Sequence, residues 1–140
     1  MSHKSMTVTE FLAALGAAVS GLLFPSESDY PLTPYRWVGP GGEDPSPKAL
    51  LTAEGRPPDT KVTTLSVHEL FDPLIDVDND RHDDEERAAA VRYRALVSLL
   101  EENLCDLVVY RVGQVDIDVY ILGMHPSGEW LGLKTRVIET

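Results

Sequence analysis

Residues 107–138, LVVYRVGQVDIDVYILGMHPSGEWLGLKTRVI, decide the fold class of this chain of 140 residues. Within them, every second residue from Val115 to Ile121 is apolar and β-branched, and Asp, Asp and Tyr stand between. This period of two is typical of a β-strand with one buried face. Residues 107–112 and 130–138 also have strand composition, and Pro-Ser-Gly at 126–128 is typical of a turn. The stretch therefore predicts an antiparallel meander.

Helices are predicted before and between the strands by apolar periodicity and by capping patterns. Residues 7–10 and 66–69 both have the Ser/Thr-x-x-Glu spacing of a capping box, and Gly21 is a typical helix stop. The expected helices cover residues 8–20, 47–53, 67–71 and 84–104, two further strands cover 35–38 and 61–65, and an acidic loop covers 72–84. Late strands with interspersed helices predict an α+β fold in which helices cover an antiparallel sheet.

The length predicts one domain over residues 1–140, with residues 1–6 as a flexible or added start. The apolar residues 11–24 also have the length of the hydrophobic part of a signal peptide. However, Glu10 stands at their edge and no small-x-small cleavage site follows. A helix packed on the core is therefore the preferred interpretation.

The chain is strongly acidic, with 23 Asp and Glu against 12 Lys and Arg and a formal net charge of −11. This charge disfavours direct binding to DNA or RNA, whose phosphates are held by Lys and Arg, and it disfavours docking on anionic lipid. It suits a basic partner or a cation. The single cysteine, Cys105, excludes an internal disulfide and a CxxC site, and it is expected to be a buried thiol.

No motif of a catalytic site is present in the sequence. GxSxG, Walker A, GxGxxG and HExxH are all absent, and the four histidines share no metal-ligand spacing. The histidines are expected at surface or capping positions. Paired carboxylates such as Asp116 and Asp118 can do acid–base work, but the solvent face of a half-buried strand is the simpler interpretation. An enzyme is therefore the least favoured class, and no cofactor is expected.

The acidic run Asp76-Val-Asp-Asn-Asp80 has the alternating acids that open an EF-hand calcium loop. The rest of that loop does not follow. Arg81 occupies the position of the required glycine, and Arg87 occupies the position of the bidentate glutamate. A solvated acidic loop is the preferred interpretation, and a binding surface for a basic protein is the alternative.

Two long segments resemble the nuclease A inhibitor family. Residues 21–31, GLLFPSESDYP, are similar to its GLLFxSESxYP stretch. The tail is also similar, with VYRVGQVDIDVYILG at 109–123 and LGLKTRVIET at 131–140, and the acids at 83–86 fit the start of a long helix. The resemblance runs from about residue 8 to 140. It implies an α-β-α sandwich with a largely antiparallel sheet, similar to the plant pathogenesis-related proteins.

The resemblance implies a cytoplasmic protein, monomeric when free, that binds a sugar-non-specific ββα-metal nuclease one-to-one and plugs its Mg²⁺-containing active site. It implies that Glu27, Asp80 and Thr140 approach the nuclease metal, while the chain binds no metal of its own. Supporting contacts are expected from Ser26, Ser28, Arg81 and Glu139. Arg81 stands where the family has a tryptophan, and an arginine would repel a basic nuclease unless it met a carboxylate.

The chemistry of such an inhibitor is consistent with the acidic composition. A nuclease that accepts any sequence holds phosphates with Arg, Lys and Mg²⁺, and carboxylates can occupy the same groups. As the last residue printed, Thr140 offers an α-carboxylate beside its hydroxyl, so its deletion or extension is expected to weaken inhibition. The candidate aromatic anchors of the nuclease interface are Tyr30, Tyr35, Trp37 and Trp130, although each is more commonly a core residue.

A second hypothesis is an acidic interaction or cation-binding module on the same fold that has lost the nuclease target. Under that hypothesis Asp76, Asp78 and Asp80 matter and Thr140 does not. Calcium would then raise the melting temperature by mass action.

Overall fold

The computed structural model describes residues 6–76 and 83–140, which form a five-stranded sheet, a two-stranded hairpin and four helices. The helices are α1 (Val8–Val19), α2 (Pro47–Glu54), α3 (Val67–Ile75) and α4 (Asp84–Asn103). The strands are β1 (Leu23–Phe24), β2 (Tyr30–Pro31), β3 (Thr33–Arg36), β4 (Val62–Leu65), β5 (Cys105–Val112), β6 (Asp116–Met124) and β7 (Trp130–Ile138). A 3₁₀ turn covers Pro40–Gly42.

The sheet is antiparallel throughout, with the strand order β3-β7-β6-β5-β4. Strands β5, β6 and β7 are neighbours in sequence order, which confirms the predicted meander. Across the three strands of the meander, Ile121 of β6 pairs with Val109 of β5 and with Leu133 of β7, and all three side chains are fully buried. Strands β1 and β2 pair only with each other in a separate two-stranded sheet.

Helices cover both faces of the sheet, which confirms the α+β class and the three-layer arrangement. The face of Val109, Ile121 and Leu133 packs with apolar residues of α1, α3 and α4 in one core. The opposite face, which includes Tyr120 and Leu122, packs in a second core with α2 through residues such as Leu50. The chain therefore buries apolar side chains on both sides of β6.

Helix starts follow the caps that the sequence predicts. Thr7 and Ser66 each form a complete capping box with a glutamate three residues later. Asp83 forms a third with Glu86 at the start of α4. Gly21, the predicted stop, has a φ of +72° just after α1. Helices often end in this left-handed conformation, which glycine adopts without steric strain.

Two expectations about β6 were wrong. The side that carries Asp116 and Asp118 is not a solvent face, because α2 packs over it and leaves Tyr120 fully buried. Instead, the two aspartates lie toward one end of the strand and pair with Arg136 and Arg56, respectively. Val115, expected inside the strand, precedes it and is 52% exposed.

Other differences concern segment ends. The acidic loop was expected to start at residue 72. Helix α3 instead continues through Pro73 to Ile75. Leu74 and Ile75 pack against the main core, and this burial offsets the backbone hydrogen bond that proline lacks. The strand expected over 35–38 is β3, at Thr33–Arg36. The short β1–β2 hairpin was not predicted.

Two side chains have the opposite burial from that expected. Cys105 is exposed, because it is the first residue of β5 and the register of that strand shifts directly after it. His125 is only 5% exposed, and its ring nitrogens lie 2.9 Å from Ser127 Oγ and 2.8 Å from the Met6 carbonyl oxygen. These two partners satisfy the imidazole inside the fold.

None of the helices in residues 6–76 and 83–140 is both long enough and apolar enough to cross a bilayer. The single-domain organisation over residues 1–140 stays a prediction.

Two glycine-to-alanine substitutions are expected to shift stability in opposite directions. A Cβ on Gly132 in β7 would lie 1.7 Å from the Ile121 carbonyl oxygen, so the two strands would have to separate. We expect Gly132→Ala to lower the free energy of unfolding by about 1–3 kcal/mol. A Cβ on Gly16 in α1 meets only Pro34 at 3.7 Å. Gly16→Ala should therefore raise the free energy of unfolding by about 0.5–1 kcal/mol. Urea denaturation of both variants tests this, and equal shifts would contradict the register of β6 and β7.

Candidate functional site

The hairpin of β1 and β2 presents the segment 25–29, Pro-Ser-Glu-Ser-Asp, at its tip. Phe24 and Tyr30 are the last paired residues on either side of it. Inside the tip, the Ser26 amide donates to Asp29 Oδ1 at 3.2 Å. The Ser26 hydroxyl donates to the Ser28 carbonyl oxygen at 2.6 Å. These local bonds shape a turn in which Glu27 is the central residue.

The hairpin tip is fastened to the end of β7. The Ile138 amide donates to Ser26 Oγ at 3.1 Å, and the Glu27 amide donates to the Ile138 carbonyl oxygen at 3.3 Å. Strand β3 pairs with β7 only as far as Lys134. The hairpin therefore occupies the edge of β7 that β3 leaves free, and it brings residue 27 beside the last residues of the chain.

Glu27 and Thr140 form the centre of this arrangement. The Thr140 hydroxyl donates to Glu27 Oε1 at 2.6 Å, and the Thr140 amide donates to Glu27 Oε2. Both residues are exposed. The hydroxyl bond first, and the amide bond next, lower the pKa of the Glu27 carboxyl below its ordinary value. Glu27 is therefore an ionised carboxylate at neutral pH.

This pair keeps hydrogen-bonding capacity toward solvent. A carboxylate has about four lone-pair sites, and Thr140 uses two of them. The others can accept from a metal-bound water or bind a hard cation directly, because carboxylate and hydroxyl oxygens suit Mg²⁺. The pair can therefore offer oxygens to a cation or a basic group held by a partner.

Two ion pairs stand beside the Glu27–Thr140 pair. Arg111 on β5 lies 2.5 Å from the Glu139 carboxylate. Arg136 on β7 pairs with Asp116 on β6, which lowers the pKa of that carboxyl. The Arg136 guanidinium also lies over the Tyr30 ring, 5.3 Å from its centroid. Both arginines therefore pair with carboxylates other than that of Glu27.

Of the site residues expected from the sequence, the structure brings Glu27 and Thr140 into contact. Ser26 and Ser28 lie in the same tip, and Glu139 is held next to Thr140. Asp80 and Arg81 lie outside the described residues. Asp78, in the run compared with an EF-hand loop, lies outside them as well. Among the residues described, no group of three His, Cys, Asp or Glu side chains is arranged to hold a metal ion.

The four aromatic residues considered as anchors lie mainly in the interior. Trp37 is buried, and Tyr35 and Trp130 pack partly buried against the second core. Tyr30 is half-buried beneath Arg136. The large apolar side chains exposed near the site are instead Leu23 and Val115, at 50% and 52%.

Sequence reasoning missed both of these apolar residues and Arg111. Leu23 precedes the hairpin tip by two residues. The Val115 carbonyl oxygen accepts from the Glu139 amide at 2.9 Å. Val115 was expected inside a strand, and Leu23 belongs to the apolar run 11–24 that was interpreted as a helix packed on the core. Neither pattern predicts the exposure of these two side chains. No signal in the sequence pairs Arg111 with Glu139, because the contact crosses the width of β6.

The chain was compared with models of known protein families. The family model described as nuclease A inhibitor-like protein matches residues 9–140. The chain belongs to the nuclease A inhibitor-like protein family. The match confirms the resemblance and includes every residue of the hairpin tip and the tail. A search of curated proteins found no match to the chain.

The nuclease A inhibitor-like family is one of nuclease inhibitors, which gives the function at the family level. The general partner that the family implies is a nuclease.

Proposed function

We propose that the chain is a protein inhibitor that plugs the Mg²⁺-containing active site of a sugar-non-specific DNA/RNA endonuclease. Glu27 and Thr140 are the groups that approach the nuclease metal, in a one-to-one complex formed in the cytoplasm by a monomeric inhibitor. The exposed pair, with its lowered pKa and its free lone pairs, is the observation that carries this proposal. Family membership supports the inhibitory role.

The inhibitory step follows from the chemistry of oxygen ligands. A metal-dependent nuclease binds the phosphate oxygens of its substrate at Mg²⁺ and at basic side chains. The Glu27 carboxylate presents two oxygens of similar hardness to the same groups, but it has no phosphoester bond to cleave. Because Thr140 holds both oxygens in place, little side-chain entropy is lost when they meet the metal. The inhibitor therefore occupies the position of a scissile phosphate.

The remaining surface supports the encounter with such a nuclease. A net charge of −11 attracts a cleft built to hold polyanions, which speeds association at low salt. Leu23, in the strand that leads into the hairpin tip, and Val115, which bonds to Glu139, add exposed apolar area. Apolar contacts around a charged pair exclude water from it, which strengthens its interaction with a partner.

Asp80 is a further part of the proposal that rests on the resemblance alone, together with Arg81 as a supporting contact. Ser26 and Ser28 act within the tip, where their bonds hold the backbone around Glu27. Glu139 acts by fixing the end of the chain on β5.

The test is a plasmid-cleavage titration. The purified chain is added to a ββα-metal non-specific nuclease at fixed Mg²⁺, and the same titration is repeated with excess Mg²⁺ to detect simple chelation. We expect cleavage to be lost at one inhibitor per nuclease and not to return with excess Mg²⁺. Recovery of cleavage at high Mg²⁺, or no inhibition of several such nucleases, would contradict the proposal. Stabilisation by Ca²⁺ in a melting experiment would then favour the cation-binding module.

A further inference from the structure

The last three residues of the chain are held at two places in the fold, two of them by the hairpin tip and Glu139 by residues on and after β5. Ile138 uses both backbone groups on the hairpin tip, through Ser26 Oγ and the Glu27 amide. Glu139 is held by the Val115 carbonyl oxygen and by Arg111. Thr140 is held by Glu27. Beyond β7, which ends at Ile138, no sheet ladder holds Glu139 and Thr140.

Arg111 makes the longest-range of these contacts. It lies on β5, facing Val119 across the ladder, while Glu139 follows β7 on the far side of β6. Its guanidinium reaches over β6 to the Glu139 carboxylate at 2.5 Å, and its side chain is only 26% exposed. This single ion-pair contact restrains the Glu139 carboxylate, and the bond to the Val115 carbonyl oxygen restrains its backbone. The chain that leads to Thr140 therefore starts from a residue held at two points.

We propose that Arg111 is a positioning residue, which holds Glu139 so that Thr140 rests on Glu27 before any nuclease arrives. This inference rests on the proposed function, because Arg111 would tune inhibition only through the Glu27–Thr140 pair. A preset terminus raises affinity by removing the cost of ordering it on binding. The neighbouring pair of Arg136 and Asp116 differs, because it joins strands whose backbones are already hydrogen-bonded to each other.

The first test uses the free protein and needs no nuclease. The pKa of the Glu27 carboxyl is measured by NMR titration in the wild type, in Glu139→Gln and in Asp116→Asn. Removal of the nearby Glu139 charge should by itself lower that pKa, whereas release of Thr140 from Glu27 should raise it. We expect a rise in Glu139→Gln and no rise in Asp116→Asn, which removes a carboxylate of similar exposure, 49% against 56%. A fall in Glu139→Gln would overturn the proposal.

The second test measures inhibition of a nuclease that the wild type inhibits. Arg111→Glu places two like charges together, and we expect inhibition about tenfold weaker, although the added negative charge favours a basic cleft. The exchange of both residues, Arg111→Glu with Glu139→Arg, restores the opposite charges and the wild-type net charge. It should recover inhibition to within about threefold.

A third test shows whether Arg111 acts through Thr140. In a chain that lacks Thr140, Arg111→Glu should produce no further loss, because the group it positions is gone. A full tenfold loss in that background would show direct contact with the nuclease and overturn the positioning role. If no nuclease is inhibited by the wild type, the proposed function fails, and the NMR titration still decides the role of Arg111.

Discussion

Glu27→Gln is expected to weaken inhibition of a Mg²⁺-dependent non-specific nuclease by about tenfold to a hundredfold. Glutamine keeps the shape of the side chain but has one acceptor oxygen in place of two and carries no charge. It therefore loses one of the two bonds from Thr140 and the attraction to the nuclease metal. Hydrogen bonds to charged groups contribute about 1.5–3 kcal/mol, which sets this range. The inhibition constant in the cleavage assay is the measurement.

The matched control for this substitution is Glu102→Gln. Glu102 is an exposed glutamate near the end of α4. It lies close to the start of β5, whereas Arg111 lies near the other end of that strand. Both variants change the net charge by the same amount. We expect Glu102→Gln to weaken inhibition by less than about twofold, since only long-range attraction changes. Equal losses in the two variants would mean that overall charge, not the Glu27 carboxylate, drives binding.

Loss of the Thr140 contacts is the second large effect expected. Thr140→Val keeps the branched shape and removes the hydroxyl that donates to Glu27 at 2.6 Å, so inhibition should weaken about tenfold. Deletion of Thr140 also removes the amide donor and should weaken inhibition about a hundredfold. Thr140→Ser keeps both donors and should stay within about threefold of the wild type.

The two residues are expected to act as one unit. In the double variant Glu27→Gln, Thr140→Val, the loss of inhibition should be smaller than the product of the two single losses, because each substitution already breaks the shared hydrogen bond. Strictly multiplicative losses would show that the two side chains meet the nuclease independently, which would contradict a preset pair.

The contact between Glu27 and Thr140 should also depend on pH in a defined direction. Because the native pKa of Glu27 lies below its ordinary value of 4.5, the contact contributes fully above that value. It is lost as the pH falls through the lowered native pKa, where the carboxylate becomes protonated. The Thr140 amide signal should move with this transition in the wild type, whereas in Glu27→Gln only the smaller change caused by its own α-carboxyl group should remain. A Thr140 signal that titrates equally in both would contradict the contact.

The meander was predictable because its determinants are local. The alternation from Val115 to Ile121 and the turn at residues 126–128 define strand direction and pairing without knowledge of distant residues. Capping boxes defined the starts of α1 and α3 in the same way. The errors came from tertiary contacts. The packing of α2 on the second face of the sheet buries Tyr120, and no local pattern around residue 120 shows that a helix 66 residues away will cover it.

The candidate site was only partly predictable for the same reason. Glu27 and Thr140 were identified through resemblance, since 113 residues separate them and neither belongs to a motif with its own chemistry. Their contact depends on the β1–β2 hairpin, whose strands have two residues each and were not predicted. Arg111 was not identified at all, because its partner lies beyond a neighbouring strand. Such long-range pairs become visible only once the register of the sheet is known.

The measurement that tests the proposed binding mode most directly is paramagnetic broadening in the complex. The nuclease is loaded with Mn²⁺ in place of Mg²⁺, and NMR signals of the isotope-labelled inhibitor are compared between the two complexes. Because paramagnetic broadening falls steeply with distance from the metal, the signals that weaken most identify the nearest residues. We predict that Thr140 and Glu27 lose the most intensity, while Glu102 is unaffected. A complex in which Thr140 keeps its full intensity, or in which residues of α2 are broadened most, would contradict the plugging of the metal site by this pair.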